Sequence, residues 1–180
     1  FAAVAADLNW GERVVLDKPA YCFNGHLPAA LAPLKERDQW ITWTYIETKP
    51  GRWTKPPLSA HTGRPAKGGA QNPDNWGTYE QALATQRRLG LAGVGYVLTR
   101  DDNITGVDID HCISDSGSYN ETAAEVLSYA ETYAEVSPSG EGVRLFCLGK
   151  YAGGVVKNDG VGVEVYIDLR YLTVTGNHID

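Results

Sequence analysis

Cysteine is scarce in this chain: three residues in 180, at Cys22, Cys112 and Cys147, with no C-x-x-C pair. So small and odd a number excludes a disulfide framework and points to a reducing compartment. Long apolar runs are missing as well. Hydrophobic residues make up 43% of the chain, yet no stretch approaches the roughly 18 residues of a membrane helix. The start, Phe1-Ala-Ala-Val-Ala-Ala-Asp7, has neither a basic region nor a long apolar segment, which excludes a secretory signal there. A chain that opens on Phe1 rather than Met, and stops at Asp180 just after a strand-like segment, is expected to be a piece of a longer one. Internal repeats and low-complexity tracts are absent. Positive charge is in deficit, with 16 Lys and Arg against 22 Asp and Glu, a net charge of −6 and a pI near 5.2. That balance argues against a general polyanion binder. Binding follows the local field of a cleft, however. Lys55, Arg64, Lys67, Arg144, Lys150, Lys157 and Arg170 would supply such a field if the fold gathers them.

What is present is enough residues for one core, or a core with an appendage. Residues 1–27 are weakly periodic, with a strand expected at Arg13–Leu16. Pro28 suits a first helical turn, with Leu31 and Leu34 facing the core and Pro33 interrupting. Gln39–Glu47 alternates like a strand. Arg52–Gln71, rich in Gly, Pro and Lys, reads as a long basic loop. Thr78-Tyr-Glu-Gln81 has capping-box spacing for a helix running to about Arg88 and stopped by Gly90. Gly93–Arg100 and Ile104–Asp110 read as strands joined by a hairpin turn at Asp101-Asp-Asn103. Ser118-Tyr-Asn-Glu121 is a second capping box, whose helix would put Ala123, Val126, Leu127, Ala130 and Tyr133 on one face. Strands follow at Gly142–Leu148, Gly162–Asp168 and Arg170–Thr175. This order predicts an α+β fold, a mainly antiparallel sheet with helices on one face.

Candidate chemistry starts in Ile104-Thr-Gly-Val-Asp108-Ile-Asp110. Alternation puts Asp108 and Asp110 on one strand face, with Val107 and Ile109 turned inward. Two carboxylates about 7 Å apart repel unless a cation joins them, and hard divalent ions favour such oxygens. Val163-Glu-Val-Tyr-Ile-Asp168 repeats the pattern, with Glu164, Tyr166 and Asp168 opposite the valines and Ile167. If the two strands are neighbours, Glu164 completes a three-carboxylate cluster able to hold two cations. The bland alternative is acids solvating an exposed sheet face. Ser137-Pro-Ser-Gly-Glu-Gly-Val-Arg144 offers hydroxyls and backbone N–H groups that can wrap a phosphate, with Arg144 as a bidentate cation. Alone it reads as an ordinary turn; beside a D-x-D strand it gains weight.

These segments, Gly106–Asp110, Val136–Phe146 and Val163–Gly176, resemble the three motifs of the bifunctional DNA primase/polymerase (prim-pol) domain of the archaeo-eukaryotic primase superfamily, found in phages, plasmids and mobile elements. Gln39-Trp40, Trp43, Thr54-Lys-Pro56, Thr62-Gly63, Trp76 and Ala82 fall in the family's order, so the resemblance covers about Leu27 to Gly176. It implies a prim-pol catalytic domain at 27–180, with a core like that of RNA-recognition domains, and a smaller N-terminal accessory unit, residues 1–26 being an extension outside the match. Asp108, Asp110 and Glu164 would be the catalytic acids, ligating Mg²⁺ or Mn²⁺. Ser137, Ser139, Gly140, Arg144, Arg170 and Lys55 would bind nucleotide. Many members carry histidine where this chain has Arg144, which grips phosphate but cannot donate a proton near neutral pH. The implied partners are nucleoside triphosphates, a single-stranded DNA template and a fused or associated replicative helicase, in the cytoplasm of a bacterial or phage-infected cell.

Other residues favour structural roles. Cys22, His26, His111 and Cys112 match zinc-ligand types, but Cys112 and Cys147 read as small buried groups, His26 as exposed and His111 as ordering the end of the Asp108–Asp110 strand. Trp40, Trp43, Trp53 and Trp76 can stack bases, though core packing suits at least one of the first two. Two rival functions remain. A metal-dependent glycosyltransferase also uses D-x-D, but leaves the Ser-Gly loop unexplained. A non-catalytic DNA-binding replication module would not need all three acids.

Overall fold

A computed structural model describes residues 21–179, so the strand expected at Arg13–Leu16 lies outside the described residues. Within them the fold is α+β and every strand pairing is antiparallel. The strands are β1 (Trp40–Trp43), β2 (Ile46–Lys49), β3 (Arg52–Thr54), β4 (Pro57–Leu58), β5 (Gly93–Leu98), β6 (Ile104–Ile109), β7 (Tyr133–Val136), β8 (Val143–Leu148), β9 (Val156–Asn158), β10 (Val163–Tyr166) and β11 (Arg170–Thr173). Helix α1 (Tyr79–Leu89) follows β4, and α2 (Glu121–Tyr129) follows β6. One sheet runs β11-β5-β1-β4, a second β7-β8-β6-β10-β9, and β2-β3 form a separate hairpin. No helix among the described residues is long and apolar enough to cross a membrane.

The larger core lies where the two main sheets meet α1. Trp40 is fully buried, its ring edge-on to Tyr79 and Tyr96 at 5.0 and 5.4 Å. Its indole N–H donates to the Leu34 carbonyl at 3.0 Å, and that of Trp43 to Val94 at 2.9 Å. Satisfied in this way, both tryptophans bury without a polar penalty, so they serve packing rather than base stacking. Gly106 lets the sheets approach: a Cβ there would meet Leu172 Cδ1 at 2.4 Å and Leu98 Cδ1 at 3.1 Å. On the other face of the five-stranded sheet, Ile109, Val143, Leu145 and Ala134 pack under Ala123, Val126 and Leu127 of α2.

Several local expectations hold. Thr78 and Gln81 form a reciprocal capping box, and Gly90 closes α1 in the left-handed region. Leu31 and Leu34 are buried, but on a 3₁₀ helix, Ala29–Glu36, with Pro33 inside it. Others are corrected. Gln39–Glu47 is not one strand: β1 joins the four-stranded sheet, and the chain breaks before β2. Arg52–Gln71 is less irregular than expected, because β3 and β4 find partners in β2 and β1. The α2 cap is Asn120, whose side chain accepts from Ala123 N, not Ser118. Tyr133 starts β7 instead of extending the helix. Most consequentially, β5 and β6 do not pair as a hairpin but lie in different sheets. Buried Asp102 holds the crossing, accepting from Gln39 Nε2 at 2.8 Å, Thr99 N at 3.0 Å and Ile104 N at 3.3 Å. Residues just before 27 are tied in too: Phe23 is buried and its N–H donates to Ala92 O at 2.9 Å.

Candidate active site

One rung of the five-stranded sheet carries a charge on every strand. Glu135 on β7 stands opposite Arg144 on β8, Arg144 opposite Asp108 on β6, Asp108 opposite Glu164 on β10, and Glu164 opposite Lys157 on β9. Opposed residues on antiparallel strands share a face with Cβ atoms about 4.5–5.5 Å apart. The five side chains therefore form a row, and Glu164 and Asp108 are neighbours in it. Asp110 lies just past β6, its N–H donating to Gly162 O at 2.9 Å, which pins it to the start of β10.

The charges in the row are mostly compensated. Arg144 Nη2 donates to both Asp108 oxygens, at 3.0 and 2.9 Å, and Nη1 to Thr173 O at 3.1 Å and to Thr173 Oγ1. Burial works against the Arg144 charge, but Asp108 and Glu135 outweigh it and keep the guanidinium protonated. Glu164 receives hydrogen bonds from Lys157 and Tyr166, and Arg170 Nη2 lies 3.5 Å away. Burial would raise its carboxyl, but those partners hold it below the ordinary carboxylate range. Fully buried Glu135 accepts from Thr175 N, Gly176 N and the Tyr133 hydroxyl. Asp110 differs: desolvation, then Asp108 and Glu164, push its carboxyl above the ordinary range. It is the acid of the group that most needs a cation.

Beside the row opens a cleft of about 670 Å³, lined by Lys55, Asp108, Asp110, Ser137, Ser139, Arg144 and Arg170, together with Trp53, Leu169 and Tyr171. Burial, then Arg144, lowers the Lys55 ammonium below its usual range, against the pull of Asp108 and Asp110. The Ser-Gly loop is built tightly. Ser137 N donates to Gly142 O at 2.8 Å, Gly140 N to Ser137 O at 2.9 Å, and the two serine hydroxyls lie 3.0 Å apart. Gly140 takes φ +85° to make the turn. A Cβ on Gly142 would meet Ile109 O at 2.8 Å. From the other side, the Tyr45 hydroxyl donates to Pro138 O at 2.7 Å.

The structure thus brings together Lys55, Asp108, Asp110, Ser137, Ser139, Arg144 and Arg170 on the cleft wall. Glu164 and Gly140 do not line the cleft. Asp108 and Glu164 share the row and Asp110 lies just past the end of β6, but the carboxylates do not converge on one point: no group of three or more His, Cys, Asp or Glu poised for a metal occurs among the described residues. Like charges have separated, and two of the three have taken side-chain cations instead. Asp168 stands apart, buried and paired with Arg100. Cys22 and Cys112 fall in different apolar clusters, and His111 bonds Glu141 at 3.0 Å, so no zinc site forms from them. Of the basic residues, Lys55, Arg144 and Arg170 gather at the cleft, whereas Lys150 caps Arg100 O. Glu135 escaped sequence reasoning; an acid flanked by apolar residues in Tyr133-Ala-Glu-Val136 was its signal.

No family model matches the chain. It is, however, 34% identical over 156 residues to a protein of Nitratiruptor phage NrS-1 named DNA primase-polymerase. Over most of its own length this chain is similar to that DNA primase-polymerase. The match covers 84% of this chain and 21% of the phage protein, so the chain spans about one fifth of that relative's length. By their chemistry the three acids suit a hard divalent ion, and the Ser-Gly loop and the cleft cations suit a polyphosphate. The donors are all oxygen, Asp110 has no ion pair among the described residues, and the cleft is lined by Lys55, Arg144 and Arg170.

Proposed function

We propose that this chain is the catalytic domain of a DNA primase-polymerase, a nucleotidyltransferase that extends a chain from nucleoside triphosphates along a single-stranded DNA template. The observation that supports the reading is the register of Asp108 against Glu164, together with a cleft that Asp108 and Asp110 line with Ser137, Ser139 and Arg144. In the reaction a 3′-hydroxyl oxygen bonds to the α-phosphorus and the bond to pyrophosphate breaks. Ser139 and the loop amides orient the phosphates, and Lys55, Arg144 and Arg170 neutralise charge that builds on the leaving group. Asp108, Asp110 and Glu164 would hold Mg²⁺ or Mn²⁺, which supplies Lewis acidity and acidifies the attacking hydroxyl. Arg144 is a charge here, not a proton donor.

Primer extension with Mn²⁺ and labelled ribo- and deoxyribonucleotides, assayed side by side, tests this. Incorporation is expected from the native chain and none from Asp110→Ala. Undiminished incorporation by that variant would remove the site assignment. Template retention without incorporation would favour a binding module, and turnover of a nucleotide sugar a glycosyltransferase.

A further inference from the structure

Arg144 is committed to the wrong partner for a residue that only waits for phosphate. Its place on β8, directly opposite Asp108, is set by six consecutive cross-strand pairs, so their contact is built into the sheet. Both Asp108 oxygens are taken by Nη2, and Nη1 is spent on Thr173. The pair is nearly closed to water, the side chains being 7% and 12% exposed. Yet Arg144 Nε is buried with no hydrogen-bond partner among the described residues, so its present setting does not satisfy it. The anion on its other side, Glu135, already accepts from three donors. If Arg144 leaves Asp108, the anion that must receive it comes from outside.

Resting on the reading of the acids as divalent-ion ligands, we propose that Arg144 is a resident cation on Asp108, a positioning residue that yields this carboxylate only when an ion and a phosphate arrive together. The ion alone then competes with a guanidinium for Asp108 and binds weakly. A phosphate that draws Arg144 away frees both oxygens, and by linkage the ion strengthens phosphate binding by the same factor. Asp110 has no ion pair among the described residues and provides the first foothold for the ion.

Titration with Mn²⁺ alone, followed by the electron paramagnetic resonance signal of the free aqua ion, reads this without turnover. Arg144→Gln is expected to bind Mn²⁺ about tenfold more tightly than the native chain, within the usual range of couplings. Lys55→Gln removes the same charge from the same cleft without touching Asp108, and is expected to change affinity by less than about threefold. Adding sulfate, a tetrahedral dianion with little affinity of its own for Mn²⁺, should tighten binding to the native chain and not to Arg144→Gln. Equal tightening by the two variants, or a sulfate effect that survives Arg144→Gln, overturns the proposal. Asp110→Asn with unchanged Mn²⁺ affinity instead overturns the metal-ligand reading beneath it. Melting curves establish that each variant is folded. If Arg144→Gln is not, Arg144→His at about pH 8, where the imidazole is neutral, is expected to give the same tightening and is subject to the same refutation.

Discussion

Asp110→Asn should separate stability from catalysis at this site. The substitution keeps the side chain's shape and removes one charge from a cluster where Asp108 and Glu164 already repel it. Two residues along extended backbone place Asp108 and Asp110 about 7 Å apart. A unit repulsion at that distance is roughly 0.6 kcal/mol at the dielectric of water and 2.4 kcal/mol at an effective value of 20. Asp110 is exposed and Asp108 is partly neutralised by Arg144, so the lower part of that interval applies. The variant is expected to be more stable by roughly 0.5–1 kcal/mol in chelator at about pH 7.5, or roughly 1–4 °C in Tm. The native carboxyl is held above its unfolded pKa, so its ionisation costs stability once the pH exceeds the folded value. That cost vanishes as the pH falls below the unfolded value, and the variant's advantage should close by about pH 4. Mn²⁺ should raise the native Tm more than the variant's. Asp108→Asn should do the opposite and lose about 3–5 kcal/mol, because it strands a buried guanidinium. Calorimetry with and without Mn²⁺ decides the matter. A destabilised Asp110→Asn, or equal Mn²⁺ shifts in both proteins, would refute the account.

Two further outcomes follow from packing. Asp102→Ala strands Thr99 N and Ile104 N at the crossing, while Gln39 Nε2 keeps Val97 O, and at about 1–3 kcal/mol per unpaired group the urea midpoint should reflect a loss of at least about 2 kcal/mol. A loss below about 1 kcal/mol would mean that the crossing does not depend on this carboxylate. Gly142→Ala pushes a Cβ onto Ile109 O and Ser137 Oγ, so about 1–3 kcal/mol should be lost. KM for nucleotide should rise more than stability alone accounts for, and an unchanged KM would free the loop from the binding role proposed for it.

The elements read correctly from sequence are those whose cause is local. The Thr78–Gln81 box, the Gly90 stop and the alternation around Asp108 and Glu164 each depend on residues within a few positions. Errors arose where local signals compete with distant partners. Asp101-Asp-Asn103 has hairpin chemistry, but Asp102 is drawn instead to Gln39, 63 residues away, and β5 leaves β6 for β1 and β11. Tyr133 has helical spacing from Ala130, yet pairing with Phe146 makes it a strand residue. Glu135 drew no reading from the sequence, and only register placed it in line with Arg144.

By itself the sequence determined which residues share a face. Period-two alternation and side-chain chemistry are properties of a short segment, and they sufficed to nominate Asp108, Asp110, Glu164 and the Ser137–Arg144 loop. Only the tertiary structure decided which strands are neighbours and in what register. Pairing between segments 36 to 56 residues apart is set by the burial of both faces together, not by either strand alone. Through that non-local choice Arg144 came to rest on Asp108, and a chain with a net charge of −6 gathered three cations at one cleft.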